Sequence, residues 1–144
     1  QWGALDVLIV DLPPGTGDVQ MTLSQKAQVD GAIIVSTPQD VALLDARKGI
    51  DMFQQLKVPL VGMIENMSTH ICSACGHEEH VFGHGGVAAE AAKLGVPLLA
   101  EIPLDLQIRL AADGGAPIAI SQPDSAQAQA FHDIARALVA KGVA

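Results

Sequence analysis

The sequence predicts an α/β fold: a doubly wound, mostly parallel sheet with helices on both faces. Short apolar runs rich in β-branched residues recur along the 144-residue chain, and stretches with apolar residues at helical spacing separate them. A nearly continuous apolar run suits a parallel strand covered on both faces, whereas a strand with one wet face alternates apolar and polar residues. Strands alternating with helices imply βαβ units with right-handed crossovers. In such sheets ligands gather at the carboxyl ends of the strands, so the residues just after each strand are the candidates for function.

Leu5-Asp6-Val7-Leu8-Ile9-Val10 is expected to be the first strand, central and buried, with Asp11 ending it. Gly31–Ser36 and Leu60–Ile64 repeat the pattern, and Val96–Ile102 gives a fourth strand. Helices are expected at about Asp18–Ala27, Val87–Leu94, Leu106–Ala112 and Ser125–Val139. Another starts at Asp40, a candidate N-cap, and carries Leu43, Ile50, Phe53 and Leu56 on one face. Asn66–Gly86 has no regular pattern and is dense in Cys, His and Gly; a loop of about 20 residues in a compact domain is usually functional or disordered.

The bulk numbers bound the function. A chain of this length, 49% hydrophobic and 17% charged, builds one domain or most of one. A formal charge of −8 with no cluster of Lys or Arg argues against a nucleic-acid partner, because phosphate backbones require concentrated positive charge. No apolar run approaches the roughly 20 residues of a membrane helix and no basic-then-apolar leader opens the chain, so a cytoplasmic protein off the membrane is expected. The chain opens Gln1-Trp2-Gly3 without a Met and runs almost at once into the first expected strand, which predicts a piece of a longer protein.

Three segments carry chemistry. Asp11-Leu12-Pro13-Pro14-Gly15-Thr16-Gly17-Asp18 puts a carboxylate at a strand tip, followed by a turn stiffened by Pro and Gly. Such a carboxylate can hold Mg²⁺ through water beside a nucleotide, and it can equally cap a turn. Asp18 is expected to cap the next helix. At the third strand's end, Glu65-Asn66-Met67-Ser68 is followed by Cys72-Ser73-Ala74-Cys75-Gly76, which holds the only two cysteines of the chain. Two residues between them are too few for a structural staple, so a metal or redox role is expected. Three readings stay open: half of an iron–sulfur ligand set, a Cys₂His₂ zinc site completed by two of His70, His77, His80 and His84, and a redox pair. The third segment, Ile102-Pro103-Leu104-Asp105, follows the last strand. There Pro103 can simply stop the strand and Asp105 can simply cap the next helix.

Asp-x-Pro-Pro-Gly at residues 11–15 resembles the switch II segment of the deviant Walker (MinD/ParA-like) P-loop ATPases. Asn66-Met67, then Cys72-x-x-Cys75-Gly76, Phe82-Gly83 and Gly85-Gly86 resemble the signature of their Mrp/Nbp35-type (ApbC-like) branch, the iron–sulfur cluster carriers. Ser73 departs from the usual Pro after the first Cys. The resemblance spans Leu5 to the final helix and implies an incomplete P-loop NTPase-like fold, the C-terminal part of one ATPase domain. It also implies a homodimer with one [4Fe–4S] cluster bridged by Cys72 and Cys75 of both copies and delivered to apo iron–sulfur proteins. By the same resemblance Asp11 acts in hydrolysis and holds Mg²⁺ through water, and the Gly15 N–H meets the γ-phosphate of ATP. Asn66, Pro103 and Asp105 lie on the adenine side. No G-x-x-x-x-G-K-[ST] occurs in the 144 residues, so the phosphate cradle is expected ahead of Gln1 and the chain alone is expected not to hydrolyse ATP. The alternatives are a zinc-binding structural or partner-recruiting module on the ATPase scaffold and a MinD-like positioning ATPase, the latter disfavoured because the tail 131–144 has only Arg136 and Lys141 as cations for a membrane anchor.

Overall fold

The computed structural model describes residues 2–143; Gln1 and Ala144 lie outside the described residues. Three parallel strands form the sheet: β1 (Ala32–Ser36), β2 (Leu60–Asn66) and β5 (Leu98–Ile102), in the order β1-β2-β5. Ile34 faces Met63, and Asn66 faces Ile102. Helix α2 (Asp40–Gln55) connects β1 to β2, and α3 (Gly86–Leu94) leads into β5. After β5 come α4 (Leu106–Asp113), a short α5 (Ile118–Ser121) that the sequence does not signal, and α6 (Ala126–Ala140). Helix α1 (Asp18–Lys26) precedes β1. Among the described residues no helix is long and apolar enough to cross a membrane.

Both faces of the sheet are covered, as the continuous apolar runs predict. On one face Ala32, Ile34 and Met63 pack with Leu43, Ile50 and Phe53 of α2 and with Val87 and Ala91 of α3. On the other, Val61, Ile64 and Ile102 pack with Ile134 and Leu138 of α6. The side chains of β2 alternate between the two clusters, because successive residues of a strand point to opposite faces. Arg47 grips Glu90 through two hydrogen bonds, Nε to Oε1 at 3.0 Å and Nη2 to Oε2 at 2.7 Å, tying α2 to α3. That grip holds the Glu90 carboxyl below the usual carboxylate range.

Leu5–Val10, expected to be a buried central strand, forms no strand. All six residues are exposed, Ile9 to 82%. A parallel strand needs a neighbour for its N–H and C=O groups and cover for both faces, and no strand among the described residues pairs with it. An apolar run shows what must be buried, not whether a neighbour is at hand to bury it. Two caps also differ from expectation. Gly17 and Gln39 are the N-caps of α1 and α2, while Asp18 and Asp40 are the first helical residues. There their charge favours the helix through its dipole, without a capping hydrogen bond. Asp105 and Ser125 do cap, accepting from the N–H of Gln107 and of Ala128.

Met63 is fully buried at the centre of the sheet. Met63→Ala is expected to cost about 2–5 kcal/mol of unfolding free energy, through lost transfer energy and the cavity left behind. Urea titration followed by circular dichroism checks this.

Candidate functional site

The carboxyl ends of β2 and β5 lie side by side, and most of the expected site residues hang from them. Asn66 is the last residue of β2, and its Oδ1 accepts from the Met67 N–H at 3.1 Å, closing a turn in which Met67 takes a left-handed backbone (φ 56°). Its amide NH₂ is not used in that turn. Pro103, half-buried, follows β5 directly. Asp105 accepts from the Gln107 N–H at 2.6 Å through Oδ1 and from Gln127 Nε2 at 2.7 Å through Oδ2. Both of its oxygens hold the loop between β5 and α4 to the protein, so Asp105 has a capping role here.

The stretch 66–86, expected to be irregular, contains a small antiparallel hairpin of β3 (His70–Ile71) and β4 (Glu78–Glu79). Cys72 and Cys75 occupy its tip. Gly76 N donates to Cys72 O at 2.8 Å and Cys72 N donates to His77 O at 2.9 Å, closing the turn on itself. Gly76 takes φ 72°, a left-handed backbone that favours glycine at this point of the knuckle. The backbone N–H groups of Ala74 and Cys75, and then the Cys75 thiol, donate to the Cys72 sulfur and hold its pKa below the ordinary thiol value. Cys72 is half-buried and Cys75 exposed, and both are free thiols. Such a tip presents two free sulfurs side by side, the donor chemistry that iron or zinc takes.

The four histidines do not gather around the two sulfurs. His70 Nδ1 donates to Leu104 O at 3.1 Å and His80 Nδ1 to Ser68 O at 3.2 Å; a carbonyl only accepts, so Nδ1 carries the hydrogen in each. His84 stacks on His80 with ring centroids 4.3 Å apart, and His77 is exposed. Among the described residues, one set of at least three His, Cys, Asp or Glu ligand atoms lies mutually within 4.8 Å: Glu65, His84 and Glu101, without either cysteine. This geometry does not form the single-chain Cys₂His₂ zinc site left open by the sequence. His70, half-buried, and His80, exposed, tie the hairpin to the protein through these hydrogen bonds.

Glu65 is the residue that sequence reasoning missed. Its carboxylate is fully buried and accepts from Val87 N at 3.0 Å and Gly85 N at 3.4 Å, at the start of α3. A charged residue inside an apolar strand was the available signal. Gly86 explains the second Gly of the pair: a Cβ there would lie 2.5 Å from the Pro38 carbonyl oxygen.

Asp11 and Gly15 lie on the exposed segment before α1. Gln20, also missed from sequence, is buried and donates through Nε2 to Pro13 O at 2.7 Å and Gly15 O at 3.0 Å. It holds the Pro-Pro-Gly turn against its own helix, and Gly15 takes the left-handed backbone there (φ 90°).

The lowered Cys72 pKa has a pH signature. The thiolate is the nucleophile, so a depressed pKa carries reactivity to lower pH. Iodoacetamide labelling of Cys72, resolved by mass spectrometry, is expected to reach half its maximal rate below the ordinary thiol midpoint of about pH 8.5. A midpoint at or above that value would show that the N–H groups do not stabilise the thiolate.

A profile of the ParA family, described as NUBPL iron-transfer P-loop NTPase, matches residues 1–139. The iron-sulfur cluster carrier protein of Pseudomonas fragi is 53% identical over 134 residues, covering 93% of this chain and 47% of that protein. The iron-sulfur cluster transfer protein NUBPL of Mus musculus is 49% identical over 138 residues, covering 96% of this chain and 43% of its own length. The chain thus spans less than half the length of these curated relatives. Among solved structures, a nucleotide-binding protein from Archaeoglobus fulgidus in complex with ADP, with cobalt found, superposes with a TM-score of 0.71. It is 38% identical, over 86% of this chain and 50% of that one. The cell division ATPase MinD of Pyrococcus furiosus superposes with a TM-score of 0.60 at 27% identity, over 76% of this chain and 42% of its own. By its motifs, its parallel sheet and the profile match, the chain belongs to the ParA family of NUBPL-type iron-transfer P-loop NTPases.

Proposed function

We propose that this chain is the cluster-bearing, C-terminal part of a P-loop ATPase domain that carries an iron–sulfur cluster and hands it to apo iron–sulfur proteins. The observation that carries the reading is the Cys72/Cys75 knuckle, two free thiols at the tip of an exposed hairpin. The names of its relatives as cluster carrier and cluster transfer proteins support it. Two thiolates fill half of the four-cysteine shell of a [4Fe–4S] cluster. A second copy of the chain supplies the other two in this reading, making the protein a homodimer around its cargo. The cytoplasmic placement belongs to the proposal, and a relative in Arabidopsis thaliana bears the word mitochondrial in its name.

ATP and Mg²⁺ enter through the same family. In this reading Asp11 holds Mg²⁺ through water and serves hydrolysis, while Gly15 offers its N–H to the γ-phosphate. The free amide of Asn66 and the Pro103 turn face adenine, and Asp105 holds that turn in place. A phosphate-binding loop is absent from the 144 residues, so the chain by itself is proposed not to hydrolyse ATP. Mg-ATP turnover by the isolated chain above a no-protein control would remove that part.

Iron and acid-labile sulfide measured after anaerobic reconstitution test the cargo. About four of each per dimer are expected, falling to background in Cys72→Ser. One zinc per chain without iron would overturn the reading. In the longer protein carrying this chain, Asp11→Asn is expected to abolish ATP hydrolysis and leave the iron content near that of the unmodified protein. Equal loss of both would mean that nucleotide and cluster do not occupy separate sites.

A further inference from the structure

We propose that His70 is a positioning residue that ties the Cys72/Cys75 knuckle to the Ile102–Asp105 loop, so that displacement of the loop is transmitted to the thiols. The proposal rests on the reading of that loop as the adenine side of a nucleotide site only for what displaces it in the cell.

The tie is an extension of the sheet. After the last register pair, Asn66 with Ile102, the chain beyond β2 stays beside the chain beyond β5. Ser68 donates to Ile102 O through its N–H at 3.0 Å and its hydroxyl at 3.2 Å. The Leu104 N–H donates to Thr69 O at 2.8 Å, and His70 Nδ1 donates back to Leu104 O at 3.1 Å. Leu104 is therefore held through both of its backbone polar groups by two consecutive residues of the other segment. Two residues beyond His70 stands Cys72.

The two sides of this junction differ in what anchors them. Asp105 binds the loop to α4 and α6 through Gln107 and Gln127. The hairpin is two residues long on each strand, and its returning strand is tied back through His80 Nδ1 to Ser68 O. So short a ladder does not fix its own orientation, and its direction comes from what grips its base. Of the contacts at that base, the one closest in sequence to the cysteines is made by the His70 side chain. The main-chain rungs at Ser68 and Thr69 hold the strand exit; the imidazole reaches across at the point where the strand becomes the hairpin.

A side chain at one atom's reach allows a discriminating test. Asn places its amide nitrogen where Nδ1 of His lies, and Gln places it near Nε2, so His70→Asn retains the contact to Leu104 and His70→Gln does not. Asp105→Ala serves as the displacement of the loop, with Pro103→Gly as a second one. Amide hydrogen exchange on the ¹⁵N-labelled chain reads the hairpin at Cys72 and Gly76, whose N–H groups close the knuckle, and reads the loop at Leu104. Loop displacement is expected to speed exchange at Cys72 and Gly76 roughly 3- to 10-fold in the unmodified and His70→Asn backgrounds, and less than about 2-fold with His70→Gln. Leu104 exchange is expected to rise in every background. Equal acceleration at the knuckle with His70→Gln would assign the coupling to the main-chain rungs alone and overturn the proposal. An unchanged knuckle in all backgrounds would overturn it as well. No nucleotide or iron is added, so failure here leaves the carrier reading standing, and failure of reconstitution leaves this coupling standing.

Discussion

The structure depends on one strand. β2 is paired on both edges and covered on both faces, with Met63 in one hydrophobic cluster and Val61 and Ile64 in the other. Slipping such a strand by one residue would exchange its two faces and break both clusters, so its register is firmly set. Its carboxyl end is consequently a fixed point. Asn66 stands there, the Cys-bearing hairpin leaves from there, and β5 brings Pro103 and Asp105 alongside.

Beneath that fixed point lies a buried charge. Glu65 is fully enclosed, which is costly for a carboxylate unless donors surround it. The N–H groups of Gly85 and Val87 supply them at the positive end of α3. The contact also sets the return path of the 66–86 loop, because it pins residues 85–87 below the strand from which the loop departs. Gly86 completes the junction by letting the backbone meet Pro38 more closely than any side chain permits. Gly86 thus serves packing, while Gly85 takes a left-handed backbone at the start of α3 and donates to Glu65.

The site divides into rigid and exposed parts. Cys72 and Cys75 stand on a short hairpin whose own hydrogen bonds shape the knuckle and hold the Cys72 pKa below the ordinary thiol value. Asp105 belongs to the rigid part, since both of its oxygens are engaged by the protein. Asp11 and Gly15 belong to an exposed segment held through Gln20, beside a Leu5–Val10 run that pairs with no described strand. Under the proposed carrier reading, a site that both holds and releases its ligand suits an exposed tip on an anchored base.

Much of this was legible in the sequence because it is local. Hydrophobic period located three of the strands and the major helices to within a residue or two, and thiol spacing singled out Cys72 and Cys75. Local turn chemistry pointed to the cap at Asp105, although it mistook Asp18 and Asp40 for caps when each is the first residue of its helix, and the Ser125 cap came from the structure. What only the tertiary structure decided joins residues far apart in the chain: His70 to Leu104 across 34 positions, Glu65 to Val87 across 22, His80 to Ser68 across 12. The same holds for Leu5–Val10, apolar enough for a central strand yet without a partner strand among the described residues. Periodicity states which surface a segment must bury and spacing states which atoms can share a ligand. Which donor meets which acceptor depends on the strands that come to lie side by side, and no single segment encodes that.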